Sequence, residues 1–271
     1  MAKWTNNLAL PDPFVRFVES QQPREGLSVT SLIGPAWQRS LINKHRADIV
    51  QDVSDSVWAL FGTAVHSLLE RYSSESELVE ERITIQIDGH TITGQPDILA
   101  IDSGILSDWK VCSAWALVLG DKPDWEAQLN LYAYGLRQAG KTVSQIQNVC
   151  FIRDWSRNKA KAGDGYPQSM VVTVEHELWS DADCEVFLRA RLAEHHNPTP
   201  CSPDERWARP TTFAVMAEGQ VRAKRVLETR EAAEAWAAEN KGKLSVVERP
   251  GECVRCESYC PVAQFCEARH G

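Results

Sequence analysis

No apolar run in these 271 residues approaches the length that spans a bilayer. The N-terminal stretch has a lone Lys3 followed by Trp, Asn and Leu, with no apolar core segment and no small-residue cleavage site, so a secretory signal is not expected. Together these absences point to a cytosolic protein without a membrane partner. Positive charge is also in deficit. Lys and Arg number 29 against 37 Asp and Glu, a net charge of −8, which weighs against nucleic acid as a partner unless local groups make the contacts. Two local basic clusters exist, residues 153–161 and 222–225, and each taken alone reads as solvated surface. There is no internal repeat and no low-complexity tract. No cysteine precedes Cys112, yet Cys253, Cys256, Cys260 and Cys266 crowd one short C-terminal stretch. In a reducing compartment disulfides are rare, and clustered cysteines bind metal.

What is present reads as an α/β fold in three stretches. Residues 1–54 form an N-terminal helical segment in which Leu27 to Leu32 leads into a short capped helix. Residues 55–200 form the core. A helix is expected over 55–72, where Val57, Phe61, Ala64, Val65 and Leu68 recur at helical spacing and predict one buried face. Three strand-like segments follow, about 82–87, 91–101 and 105–111. Asp88-Gly89 marks a tight hairpin and Asp102-Ser103-Gly104 a second turn, so the three read as an antiparallel meander. A helix over 124–138 shows an apolar face of Trp125, Leu129, Tyr132, Ala133 and Leu136. Strands about 146–153 and 169–174 and a helix over 181–195 complete the core, and Asn197-Pro198-Thr199-Pro200 looks like its boundary. Residues 201–271 are less regular, with a helical pattern at 230–238 and a short strand at 244–247.

Chemistry concentrates on the meander. Side chains alternate faces along a strand, so Asp108 and Lys110 share one face with Trp109 and Val111 on the other. Asp97 falls on the neighbouring antiparallel strand. Two carboxylates and an amine thus converge, and burying them without a partner is costly. A divalent cation offsets that cost, because carboxylate oxygens suit Mg²⁺ and Mn²⁺. Such a cation polarises a phosphodiester, Lys110 can position a water and offset developing charge, and His66 can supply an imidazole ligand from its helix. Gln128 and Tyr132 sit one turn apart on the next helix. Singly, each of these is a common string.

Their joint order resembles the PD-(D/E)XK nuclease superfamily in its RecB-type branch, which includes bacterial recombination exonucleases, CRISPR-associated four-cysteine nucleases and phage-type exonucleases. The matching pieces are Gly62-Thr63-Ala64-Val65-His66, Gly94-Gln95-Pro96-Asp97, Asp108-Trp109-Lys110 and Gln128 with Tyr132, together covering about residues 55–135. The resemblance implies a restriction-endonuclease-like core, a mixed sheet of about five strands flanked by helices. It implies that His66, Asp97 and Asp108 bind the catalytic metal with the Val111 carbonyl assisting, that Lys110 is the catalytic lysine, and that Gln128 and Tyr132 support the site and contact DNA. Asp108 departs from the commoner Glu of this branch.

The implied activity is Mg²⁺- or Mn²⁺-dependent hydrolysis of DNA with a free end, by an exonuclease in phage-type recombination, replication or repair, with a recombination or single-strand-annealing protein as a candidate partner. A CRISPR-adaptation nuclease that trims DNA is a second reading, and a non-catalytic DNA-binding or scaffold protein a third. In similar nucleases C-terminal cysteines close a [4Fe–4S] cluster. That implies Cys256, Cys260 and Cys266 as ligands with Cys201 as the fourth, Cys253 being the alternative to Cys201. Thiolates also suit structural zinc. Cys112, Cys150 and Cys184 are expected to be small buried hydrophobes.

Overall fold

Asp88 and Gly89 take positive φ values of 47° and 77° and close the tight turn that their sequence signals. The structure, a computed structural model, describes residues 3–21, 26–120, 122–163 and 165–270. It divides into two units, Met1–Ser40 with Arg46–Pro198, and Leu41–His45 with Thr199–Gly271. The chain begins with β1 (Lys3–Thr5), α1 (Asp12–Ser20), β2 (Leu27–Ser28), α2 (Val29–Ile33), α3 (Ala36–Lys44) and β3 (Val50–Asp52). After a 3-10 turn come α4 (Val57–Glu70), β4 (Glu77–Val79) and the hairpin of β5 (Ile83–Ile87) and β6 (His90–Gly94). Next are β7 (Ile98–Ala100), β8 (Ile105–Cys112), α5 (Ala114–Val118) and α6 (Pro123–Gln138). The first unit ends with β9 (Gln145–Ile152), α7 (Arg157–Ala162), β10 (Val171–His176) and α8 (Asp181–His196).

A mixed five-stranded sheet has the order β10-β9-β8-β7-β4. Its central pair, β8 and β9, is parallel, with Asp108 opposite Asn148 and Lys110 opposite Cys150. A parallel pair needs a crossover, and α5 and α6 supply it. Helix α6 lies over β8 and β9 on one side and meets α2 and α8 on the others. Ten consecutive residues, Ala127 to Leu136, are therefore buried, where periodicity predicts a single buried face. Polar groups on such a helix must find partners. Asn130, fully buried, donates to the carbonyls of Glu126 (3.1 Å) and Glu177 (2.9 Å) and accepts from the Trp179 amide (2.7 Å), which pins the turn between β10 and α8.

Two expectations need correction. The segment 91–101 is not one strand of a meander. It breaks at Gln95–Asp97, so that β6 pairs with β5 and β2 in a separate three-stranded sheet while β7 pairs with β8 and β4. Pro96 has no N–H to give a ladder, and the break falls on it. The apolar stripe of α4 is not a buried face either. Phe61 and Leu68 are exposed, as is Ala64, and no residue of the helix is fully buried. Periodicity reports an apolar stripe and cannot report what covers it. Residues 1–40 and 46–54 fall in the first unit, where β2 pairs in parallel with β6 and α2 packs on α6.

The second unit contains β11 (Ala208–Arg209), β12 (Thr212–Ala217), β13 (Arg225–Leu227), α9 (Arg230–Glu239), β14 (Leu244–Arg249), β15 (Glu252–Cys253) and α10 (Val254–Ser258). An antiparallel sheet of order β13-β12-β14 carries α9. The short pair β11–β15 sets Ala208 opposite Cys253. Trp207 packs edge-on against Tyr259 and lies under the Arg255 guanidinium, 4.2 Å from its ring centroid.

The pinning role of Asn130 is testable. Asn130→Ala leaves the Trp179 amide and the Glu177 carbonyl without their buried partner, and the expected loss of stability is about 1–3 kcal/mol. It is read as a lower urea midpoint at unchanged m-value, and an unchanged midpoint contradicts this packing.

Candidate active site

Strand β7 is three residues long, so its pairing with β8 stops at Ser107. Beyond that point, among the described residues, no strand neighbours β8 on that side. Its backbone groups need other partners, and two predicted site residues supply them. Asp97, in the break before β7 rather than on a strand as expected, accepts from the Trp109 amide at 2.6 Å through Oδ2. His66, on α4, lies with Nε2 3.2 Å from the Trp109 carbonyl. Alternation along β8 turns the Val111 carbonyl to the same edge.

A carbonyl only accepts, so Nε2 carries a proton and Nδ1 of a neutral ring presents a lone pair. That Nδ1 faces Asp97 Oδ1 at 3.2 Å and Glu80 Oε1 at 3.8 Å. A lone pair against two carboxylates is repulsive. Either a proton on Nδ1 or a cation among the three atoms relieves it. The hydrogen bond to Asp97 raises the His66 pKa above its ordinary value, against the opposing effect of burial. Burial and the Asp97 charge push the Glu80 carboxyl up in the same way. One ligand atom from each of His66, Glu80 and Asp97 lies within 4.8 Å of the others.

Glu80 is missing from the residues that the sequence singles out. It stands in an acidic run between β4 and β5, where a carboxylate looks like surface. The backbone gives its role instead: Glu80 has φ 51°, and its amide donates to the Asp97 carbonyl at 3.1 Å. Gln95 donates to the Glu80 carbonyl at 3.1 Å. The two loops are thus tied together with their carboxylates side by side.

On the face of β8 that meets α6, Asp108 and Lys110 project together as strand parity predicts. Asp108 is 3% exposed. Its Oδ2 lies 2.6 Å from Lys110 Nζ and accepts from Asn148 Nδ2 at 3.0 Å, while Oδ1 accepts from Gln128 Nε2 at 3.2 Å. Burial pushes this carboxyl up, and the Lys110 charge pulls it back. Lys110 also donates to Gln128 Oε1 at 2.9 Å. Gln128 Nε2 reaches the Tyr132 hydroxyl at 3.1 Å, and burial holds that phenol well above its usual range, so it stays protonated. Gly94 lets the Tyr132 ring approach: a Cβ there would stand 2.8 Å from Tyr132 Cε1.

The structure therefore brings His66, Asp97, Asp108, Lys110, Gln128 and Tyr132 into one place. It adds Asn148, which sequence reasoning missed. Asn148 is fully buried at the β9 position opposite Asp108, and His176 lies 2.8 Å from its Oδ1. A signal existed: Ile146, Asn148, Cys150 and Ile152 share one strand face, and Asn148 is its single polar member.

No disulfide joins any cysteine among the described residues. Cys112, Cys150 and Cys184 are buried, as expected. In the second unit burial holds the Cys256 thiol up, aided by Cys253 and Cys260 and then Cys266, with Arg206 pulling the other way. The group of ligating side chains that gathers within 4.8 Å among the described residues is His66, Glu80 and Asp97, and it includes none of these thiols. Cys201 lies ahead of β11, the strand that pairs with Cys253.

No family model matches the chain, and no curated protein matches it at a significant level. Among solved structures it is similar to the crystal structure of SSO0001, with a TM-score of 0.54 and 14% identity over 94% of each chain. At that identity the likeness shows a mixed α/β fold and nothing of function. No helix among the described residues is long and apolar enough to cross a membrane.

Proposed function

We propose that this protein is a metal-dependent deoxyribonuclease with a restriction-endonuclease-like core of the PD-(D/E)XK type, acting on DNA with a free end. The observation that carries the reading is the pairing of two groups along one strand. His66, Glu80 and Asp97 converge at the open edge of β8, and Lys110 stands beside them, clasped by Asp108 and Gln128. Carboxylate oxygens with one imidazole nitrogen suit Mn²⁺ or Mg²⁺. A bound cation would supply Lewis-acid polarisation of a phosphodiester.

The protein's own residues do the remaining work. Asp97 and Glu80, with the His66 Nδ1, hold the cation, and the resemblance adds Asp108 and the Val111 carbonyl to that set. Asp108 and Gln128 fix the Lys110 ammonium so that it can orient a water and offset negative charge on the phosphate as it develops. Asn148 fixes Asp108 in turn. Tyr132, protonated, anchors Gln128 through its hydroxyl.

In the second unit Cys256, Cys260 and Cys266 are proposed to ligate a [4Fe–4S] cluster, with Cys201 as the fourth ligand and Cys253 as its alternative. Such a cluster would fasten α10 to the chain that follows it.

Two measurements test this reading. Wild type should degrade end-labelled linear DNA with Mn²⁺ and stop with chelator, and Lys110→Ala should lose about 10²–10⁴-fold in rate. Wild-type inactivity on linear and closed circular DNA alike, or full activity of Lys110→Ala, contradicts it. Anaerobically purified protein should contain iron and acid-labile sulfide in equal amounts, both falling in Cys256→Ser; zinc without iron contradicts the cluster.

A further inference from the structure

A group of side chains on the surface of the first unit serves neither the core nor the proposed hydrolysis. Trp58 and Phe61 lie one turn apart on α4 with ring centroids 5.8 Å apart. They are 53% and 51% exposed. Arg153, one residue past β9, sets its guanidinium 3.9 Å from the Trp58 ring centroid. On α5, Trp115 is 51% exposed, and Lys159 of α7 holds Nζ 6.0 Å from its ring. These elements are not loose. A small second core of Ala114, Ile152, Ala160 and Tyr166 ties α5 and α7 to the end of β9. The Trp155 indole donates to the Pro167 carbonyl at 2.8 Å and closes the loop that follows α7.

Charge selects the occupant. In a chain of net charge −8, Arg153, Arg157, Lys159 and Lys161 fall within one short stretch and all are exposed. The acid among them, Asp154, accepts from the Ala114 amide at 2.7 Å and is committed to the start of α5. An apolar protein surface has no use for a cation beside each of the two tryptophans. Bases stack on exposed rings, and phosphates pair with the flanking guanidinium and ammonium groups. In a duplex the base faces are covered by one another, so the surface fits a single strand.

We propose that Trp58, Phe61 and Trp115 form a stacking platform for single-stranded DNA, with Arg153 and Lys159 holding its phosphates. Trp58 precedes His66 by eight residues on the same helix, which places the platform about 12 Å along the axis from the candidate metal ligands. That the bound strand leads into the site rests on the nuclease reading; the platform itself does not.

The test is fluorescence anisotropy of a labelled 20-nucleotide oligothymidine with the full chain in EDTA, where no hydrolysis occurs. The Trp58→Ala, Phe61→Ala double variant should bind about 10-fold or more weakly, within the range expected for losing base–aromatic stacking. A blunt duplex of equal length should bind less tightly than the oligothymidine and respond little to the change. Arg153→Ala, which removes no aromatic ring, should also weaken binding and flatten its salt dependence. An affinity within twofold of wild type in both variants overturns the platform. So does a change of oligomeric state at unchanged oligothymidine affinity, which would assign the face to a second copy of this chain. Hydrolysis with Mn²⁺, assayed on the same preparations, separates the two readings. Hydrolysis with unchanged binding sinks the platform alone, and binding loss without any hydrolysis by wild type sinks the nuclease alone.

Discussion

The early end of β7 is the constraint on which the site depends. Three residues of pairing leave the edge of β8 open from Asp108 onward, and an open edge carries backbone groups that need partners. Here the partners are side chains. Asp97 takes the Trp109 amide and His66 the Trp109 carbonyl. Each residue is thereby fixed by one of its atoms and presents the other: Asp97 its second oxygen, His66 its second nitrogen. The break at Gln95–Asp97 both shortens the strand and supplies the carboxylate that covers the gap.

Electrostatics follow from that arrangement. The Asp97 charge raises both the Glu80 and the Asp108 carboxyls, and the compensating charges are an ammonium and an imidazole. The cost is not shared evenly. Asp108 is matched by Lys110, Gln128 and Asn148, so its oxygens are satisfied within the fold. Asp97 and Glu80 face His66 alone beyond their backbone ties. The unmet demand for positive charge therefore sits at the strand edge and not on the α6 face, and a cation would be most strongly held there. The network behind Asp108 continues through Asn148 to His176, which sets a rigid polar wall behind the reactive lysine.

Much of this was legible in the sequence. The parity of Asp108 and Lys110, the turn at Asp88-Gly89 and the spacing of Gln128 and Tyr132 are local facts, and local rules read them correctly. Pro96 also announced the break in 91–101, but the alternation on both sides of it looked continuous. Other features were set by tertiary neighbours that no pattern records. The burial of α6 on every side comes from α2 and α8, and the exposure of Phe61 and Leu68 from the lack of cover over that face of α4 among the described residues. Glu80 was hidden in an acidic run, and only its backbone tie to Asp97 reveals it. Asn148 was visible in principle as a polar residue on an apolar strand face.

The most direct test of the central claim is the binding of Mn²⁺ to the protein without DNA, followed by electron paramagnetic resonance of the free ion. The account predicts a saturable site in the first unit that is lost in Asp97→Asn and weakened in Glu80→Gln, while Asn148→Ala changes it less. Absence of saturable Mn²⁺ binding, or binding that survives both Asp97→Asn and Glu80→Gln unchanged, would contradict it.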